Sequence, residues 1–422
     1  MDTHKLVLSN GLRLVVVPMP WLRSVSIAVF VNVGSRYESE RTAGISHLTE
    51  HMMFKGTRAR PKSTNITGEL ESVGGILNAS TDKEITLYWA KAASEHLALS
   101  LDVISDMLRE SLIRPSDVAR ERGVIAEELR MIADDPQDWV YVLADEALWP
   151  GHPYGREIAG SQETIAAFRR RHVRDHIGRY YGPNNAVIAV AGGIDVGEVQ
   201  NLVERHFSDW QPVAPIPPDP APAFGSGGEW LLEDKKFEQL NVCLAFPGVS
   251  RNHPDRPALE VLTTVLGGGA SSRLFEQLRE RRGLVYDVGA SSAHFRDTGS
   301  VIVSFGTEPQ KGAEALECCV AEIDRLERRL VLDRELQKAK QLFSGRLWLA
   351  LEDSNAVAGW FGSQEALQER VVMPEEAIAA VDGVDADDVR RVVRTYLRPD
   401  FMRLAAVGPT RLLTRHALRP SA

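Results

Sequence analysis

Cysteine is scarce in this 422-residue chain: there are three, Cys243, Cys318 and Cys319, and the last two are adjacent. That count argues against a disulfide framework or a cysteine-built metal cluster, and all three are expected to be reduced. No apolar run approaches the roughly 18 residues needed to cross a bilayer, so no membrane partner is expected. Positive charge is also in deficit, with 49 Lys and Arg against 58 Asp and Glu and a net charge of -9. A sequence-independent grip on nucleic-acid phosphates or on an anionic membrane surface is therefore not expected. The first residues, MDTHKLVLSN, carry neither a signal-peptide pattern nor an Arg-rich amphipathic one, and a cytoplasmic location is the resulting expectation.

What the chain does have is the composition of a globular protein, 44% hydrophobic and 25% charged, at a length too great for one ordinary core. The sharpest compositional break is QPVAPIPPDPAPAFGSGG at residues 211–228, where Pro and Gly forbid a regular helix or a central strand. The expected division is an N-terminal domain over 1–212, a linker over 213–228 and a C-terminal domain over 229–422. The flanking halves repeat weakly. Ser35, Arg36, Arg41 and Ala43 recur 215 positions later as Ser250, Arg251, Arg256 and Ala258, and Val173, Arg174, Tyr180, Pro183 and Gly192 recur 216 positions later as Val389, Arg390, Tyr396, Pro399 and Gly408.

Each half opens on β-rich alternation, as in Leu14–Val17 and Ser26–Val31, continues in helical patterns and closes on a short apolar strand, Ala186–Ala191 or Met402–Val407. That order predicts an α+β fold of two homologous domains, each a mostly antiparallel sheet with helices on one face.

The chemistry concentrates in GISHLTEHMMFKGT, which sets His47 and His51 four residues apart with Glu50 between them. On a helix both imidazoles project from one face with Glu50 beside them. Catalytic zinc takes three protein ligands and leaves one position for a water whose pKa it lowers, and a neighbouring carboxylate can take that water's proton. The plain alternative is an amphipathic helix, since Ile45, Leu48 and Met52 supply apolar positions at helical spacing.

A third ligand is offered by ARERGVIAEELRMIADDP. At 100° per residue Glu128 shares a face with Glu121, Val124 and Ile125, whereas Glu127 shares one with Arg120, Gly123 and Arg130. A carboxylate on an apolar face needs a partner, and a metal would provide one. Glu121, one heptad earlier, is placed to hydrogen-bond a ligating histidine. The counterparts of His47, Glu50 and His51 in the second half are Leu262, Val265 and Leu266, so the second domain is expected to bind or orient substrate without metal. The pair His172 and His176 also has helical spacing, but its counterparts Asp388 and Val392 point to packing.

With Glu128 lying 77 residues after His51 in an E-R-x-V-I-x-x-E context, the chain resembles the pitrilysin-type (M16) metallopeptidases, the inverted H-x-x-E-H zinc enzymes, over almost its whole length. The resemblance implies a zinc endopeptidase acting on peptides or unstructured leader segments, with one Zn2+ per chain held by His47, His51 and Glu128 and with Glu50 as general base. It further implies that Arg279 and Tyr286, in SRLFEQLRERRGLVY, contact the scissile region and steady an oxyanion. It also implies that the backbone around Asn78, Ala79 and Ser80, in GGILNASTDKEITLYWA, pairs with an extended substrate; the alternation there fits a plain hairpin strand equally well.

Because the metal motif and the Arg/Tyr motif stand in one chain, a homodimer closing into a chamber is the implied assembly. Two alternatives stay open: a non-catalytic structural or chaperone-like subunit of the same fold, and a leader peptidase dedicated to one ribosomal peptide product. Two imidazoles and a carboxylate favour zinc, with manganese the other metal they could hold.

Overall fold

The computed structural model describes residues 1–225, 230–368 and 370–413. Its strands, in chain order, are β1 (His4–Val7), β2 (Arg13–Pro18), β3 (Ser24–Val31), β4 (Ile76–Thr81), β5 (Thr86–Ala93) and β6 (Ala186–Gly192). They continue with β7 (Trp230–Asp234), β8 (Leu240–Pro247), β9 (Val285–His294), β10 (Gly299–Thr307) and β11 (Arg403–Gly408). The helices of the first half are α1 (Ile45–Met53), α2 (Ser63–Glu71), α3 (Leu97–Glu110), α4 (Pro115–Asp134), α5 (Pro136–Leu148), α6 (Gln162–Ala167), α7 (Arg170–Tyr180) and α8 (Val196–Phe207). Those of the second are α9 (Arg256–Gly267), α10 (Gly312–Arg328), α11 (Asp333–Ala350), α12 (Ser354–Leu367), α13 (Pro374–Asp382) and α14 (Ala386–Tyr396).

The two sheets share one plan. The first runs β1-β2-β6-β3-β5-β4 and the second β7-β11-β8-β10-β9, so that without β1 the orders correspond strand for strand. In each, one pair is parallel (β2 with β6, β7 with β11) and the other pairs are antiparallel. The α+β reading and the duplication are thus present in the topology itself. The central strands β3, β6, β8 and β11 are buried almost throughout, which is why they hold the apolar runs Ile27–Val31, Ala186–Ala191, Val242–Phe246 and Leu404–Val407.

One face of each sheet carries the main helical layer. Ile27, Val29, Ile188 and Val190 pack with Leu101 and Ile104 of α3 and Val199 and Val203 of α8 in the first. Val242, Leu244, Leu404 and Ala406 pack with Leu259 and Leu262 of α9, Leu316 of α10 and Val389 and Val392 of α14 in the second.

The opposite faces are covered by single helices from distant parts of the chain. Val140, Leu143 and Ala144 of α5 lie on Cys243, Ala245, Ala405 and Val407. α12 crosses β3 and β6, where Gly362 lies so close to Phe30 and Ala189 that a Cβ there would sit 2.2 Å from the Phe30 ring.

The compact units are consequently not the contiguous 1–212 and 229–422 of the sequence reading. The first comprises Met1–Leu129, Glu157–Asp219 and Trp348–Val371; the second comprises Arg130–Arg156, Pro220–Leu347 and the chain from Val372 onward. The physical reason is that the odd-numbered and even-numbered residues of a fully buried strand each need a cover, and the cover for one face comes from the other half of the sequence. The Pro-rich segment has no regular element from 211 to 225, and residues 226–228 of the expected linker lie outside the described residues.

Candidate metal centre

The helix that carries the histidine pair is fixed at its start. Gly44 precedes α1 at φ +92°, a left-handed conformation that favours glycine, and a Cβ there would fall 2.4 Å from the Ala159 carbonyl oxygen. The Glu38 carboxylate accepts from the Gly44 and Ser46 N–H groups at 2.7 Å each, satisfying helix-start donors with a negative charge at the positive end of the dipole. Ile45, Leu48, Met52 and Met53 are buried and anchor the helix, while His47, Glu50 and His51 are half-buried on its other side.

The rings of His47 and His51 meet edge to face with centroids 4.6 Å apart. Glu128 of α4 brings Oε2 to 3.7 Å from each Nε2, and one ligand atom from each of the three residues lies within 4.8 Å of the others. A tetrahedral zinc with bonds of about 2.1 Å holds neighbouring donors roughly 3.4 Å apart, and two imidazoles with one carboxylate is a donor set catalytic zinc uses. The residues fit the ion. Among the described residues, no other group of this kind is present.

Electrostatics favours ligation. Burial, and then the neighbouring His51, pull the His47 pKa down to about 4, so its imidazole is neutral at physiological pH, the form that donates a lone pair. Glu121, almost fully buried, brings Oε2 to 3.1 Å from His51 Nδ1 and Oε1 to 3.0 Å from Lys55 Nζ. Burial alone would raise its pKa, but the hydrogen bonds from His51 and Lys55 hold it below the ordinary value. With the His51 proton on Nδ1 for this bond, Nε2 is left bare toward Glu128.

Beside the cluster, Glu50 Oε2 accepts from Thr81 Oγ1 at 2.5 Å. Its pKa is raised, chiefly by burial. Thr81 was not among the residues singled out from the sequence. The available signal was strand alternation: in β4, Leu77, Ala79 and Thr81 are the less exposed set, and Thr81 is the polar member of that set.

The helix-face reading of α4 holds in part. Glu121 and Ile125 are buried and Glu127 is exposed, but Val124 is 41% exposed and the Glu128 side chain 37%. Glu128 stands at the margin of the apolar face rather than within it.

Asn78, Ala79 and Ser80 lie on β4, the edge strand of its sheet, paired on one side with Trp89, Tyr88 and Leu87 of β5. The Ala79 N–H is occupied locally, donating to Asn78 Oδ1 at 2.8 Å.

Arg279 and Tyr286 belong to the second unit. Arg279 projects from a π-helical segment, Phe275–Arg281, with its guanidinium 4.9 Å from the Phe275 ring centre. Tyr286 is 53% exposed and donates to Glu308 Oε1 at 3.2 Å. Leu262, Val265 and Leu266, the counterparts of the metal-motif residues, are buried in the core of that unit. His176 is likewise buried, its ring 5.1 Å from that of Tyr180.

Residues 15–162 match the family described as "Insulinase (Peptidase family M16)", and residues 167–343 match "Peptidase M16 inactive domain". An uncharacterized zinc protease of Streptomyces coelicolor is 35% identical over 414 residues, spanning 96% of this chain and 89% of the relative. The uncharacterized zinc protease YmxG of Bacillus subtilis is 34% identical, spanning 95% of this chain and 97% of the relative.

Among solved structures, a protease from Helicobacter pylori superposes with a TM-score of 0.92 at 26% identity, covering 97% of this chain and 99% of that one. A chain of complex III from Candida albicans superposes with a TM-score of 0.85, covering 99% of each chain, and its 18% identity marks a shared fold only. Identity of this extent along nearly the full length makes the chain a member of the M16 peptidase family, with that family's two-domain subunit.

Proposed function

We propose that this chain is a zinc-dependent endopeptidase that hydrolyses peptides or unstructured leader segments, with His47, His51 and Glu128 as metal ligands, Glu121 orienting His51 and Glu50 as general base. The observation that carries the reading is the convergence of two imidazoles and a carboxylate within 4.8 Å, with a second, half-buried carboxylate beside them. When bound, zinc supplies the Lewis acidity that lowers the pKa of a water and polarises a peptide carbonyl.

Glu50 has the work of a proton carrier: it takes a proton from the attacking water and returns it to the leaving amide nitrogen. Desolvation suits it to that task, because a carboxylate stripped of water holds a proton more tightly than an exposed one. Thr81 keeps the carboxylate in one rotamer by its hydroxyl bond. Arg279 and Tyr286 are assigned to the oxyanion, as hydrogen-bond donors to the oxygen that gains charge. The backbone of β4 at Asn78, Ala79 and Ser80 is assigned to the substrate, since an edge strand can accept one more.

The proposal includes a homodimer, because both the metal cluster and the Arg279/Tyr286 pair stand in one chain. It also includes a cytoplasmic setting, in keeping with three free and buried thiols. No helix among the described residues is long and apolar enough to cross a membrane.

The test is hydrolysis of quenched-fluorescent peptides together with metal content. Wild type should carry about one zinc per chain and lose activity on chelation. Glu50→Gln should keep the zinc and lose about 10²- to 10⁴-fold in rate. Full activity in Glu50→Gln would refute the general base. Bound zinc without hydrolysis of any peptide by wild type would favour a non-catalytic subunit.

A further inference from the structure

Between the start of α4 and the start of α7, a cleft of about 450 Å³ is lined by four arginines and by no carboxylate. Arg122 comes from α4, and Arg169, Arg170 and Arg171 come from the start of α7; Pro115 and Ala119 of α4 supply the exposed apolar wall. Among the described residues none of the four forms an ion pair. Arg122 and Arg169 donate to the Ala166 and Phe168 carbonyls, Arg170 to the Leu112 carbonyl at 3.4 Å, and Arg171 to the His172 ring. The Nε atoms of Arg122 and Arg170 are buried without a hydrogen-bond partner. Asp117, one turn before Arg122, is engaged by Arg114 and Arg120.

Four like charges gathered in one cleft repel one another, and three of them stand at the positive end of a helix dipole, where cations are unfavourable. The duplicated half does the reverse: α14, the counterpart of α7, opens on Asp385, Asp387 and Asp388. In a chain of net charge -9, an anion entering this cleft would relieve that repulsion. Planar guanidinium forks match a phosphoryl or carboxyl group bidentately.

We propose that this cleft is a binding site for a small organic phosphate, its phosphoryl group held by Arg122, Arg170 and Arg171 and its apolar portion against Pro115 and Ala119. The site is independent of the peptidase reading. Its occupant bears on α4, the helix that also supplies Glu121 and Glu128, so binding braces the element behind the metal cluster.

The experiment is calorimetric titration of the full-length, zinc-loaded protein with phenyl phosphate at constant ionic strength. Saturable binding of one molecule per chain is expected, weakened about tenfold or more in Arg170→Gln and in Arg171→Gln, each of which removes charged donors from the anion. Arg171 is exposed, so its loss is tolerated by the fold. In wild type, phenyl phosphate should slow hydrogen exchange in residues 115–122 and 168–172, and inorganic phosphate should bind more weakly than phenyl phosphate because it leaves the apolar wall uncovered. Equal binding of benzoate would overturn the phosphoryl assignment. Absence of saturable binding, unchanged affinity in both variants, or protection confined to other segments would overturn the site.

Discussion

Replacing Glu121 by Gln isolates what a buried carboxylate behind His51, a proposed metal ligand, contributes. The substitution keeps the shape and an acceptor for the His51 Nδ1–H, but removes the negative charge that Nδ1 and the Lys55 ammonium share at 3.1 Å and 3.0 Å. With the charge gone, the imidazole is a poorer donor at Nε2 and its orientation is less firmly set. Partners of this kind typically change metal affinity by about 10- to 100-fold, or roughly 1.4–2.7 kcal/mol.

Zinc affinity measured by competition with a chromogenic chelator at fixed pH should therefore fall by about that factor in Glu121→Gln. Glu127→Gln, the exposed neighbour on the same helix, should stay within about twofold of wild type. Wild-type affinity in Glu121→Gln would refute the positioning role. An equal loss in Glu127→Gln would refute the helix-face argument that separates the adjacent glutamates.

Thr81→Val removes the hydroxyl that bonds Glu50 at nearly constant volume; kcat should fall about tenfold with zinc content and KM little changed, and Thr81→Ser should restore it. His176 is buried and its pKa is lowered to about 3, first by desolvation and then by Arg179. The unfolded chain protonates this group near 6.5 and the folded one does not, so its contribution is full above pH 6.5 and is lost as pH falls toward 3. The slope is about 1.4 kcal/mol per pH unit, hence about 2 kcal/mol between pH 6.5 and 5. Urea unfolding of wild type and His176→Phe at several pH values should differ in slope by that amount, and identical pH dependence would contradict it. Gly362→Ala should lower the thermal midpoint, because overpacking against Phe30 costs about 1–3 kcal/mol and exceeds the gain in helix propensity. Gly359→Ala, on the same helix with nothing within 4 Å of its new Cβ, should be neutral or stabilising by up to about 1 kcal/mol, so a loss there as large as at Gly362 would count against α12 lying on that sheet.

Local periodicity was enough to place one side of the His47, His51 and Glu128 cluster. His47, Glu50 and His51 share a helical face because of their spacing alone, and the same arithmetic chose Glu121 and Glu128 over Glu127. The central strands were equally plain, since a strand buried on both faces carries an apolar run such as Ile27–Val31 or Val242–Phe246. Tertiary structure decided what depends on residues far apart in the chain: the Thr81 hydroxyl on Glu50, 31 positions away, and the single helices α5 and α12 that cover the second face of each sheet. It also decided that Val124 is exposed and that Glu128 stands at the edge of its apolar face, and that four arginines from two helices line one cleft without a carboxylate. Periodicity says which side chains share a face, but what that face meets is fixed by the packing of the whole chain.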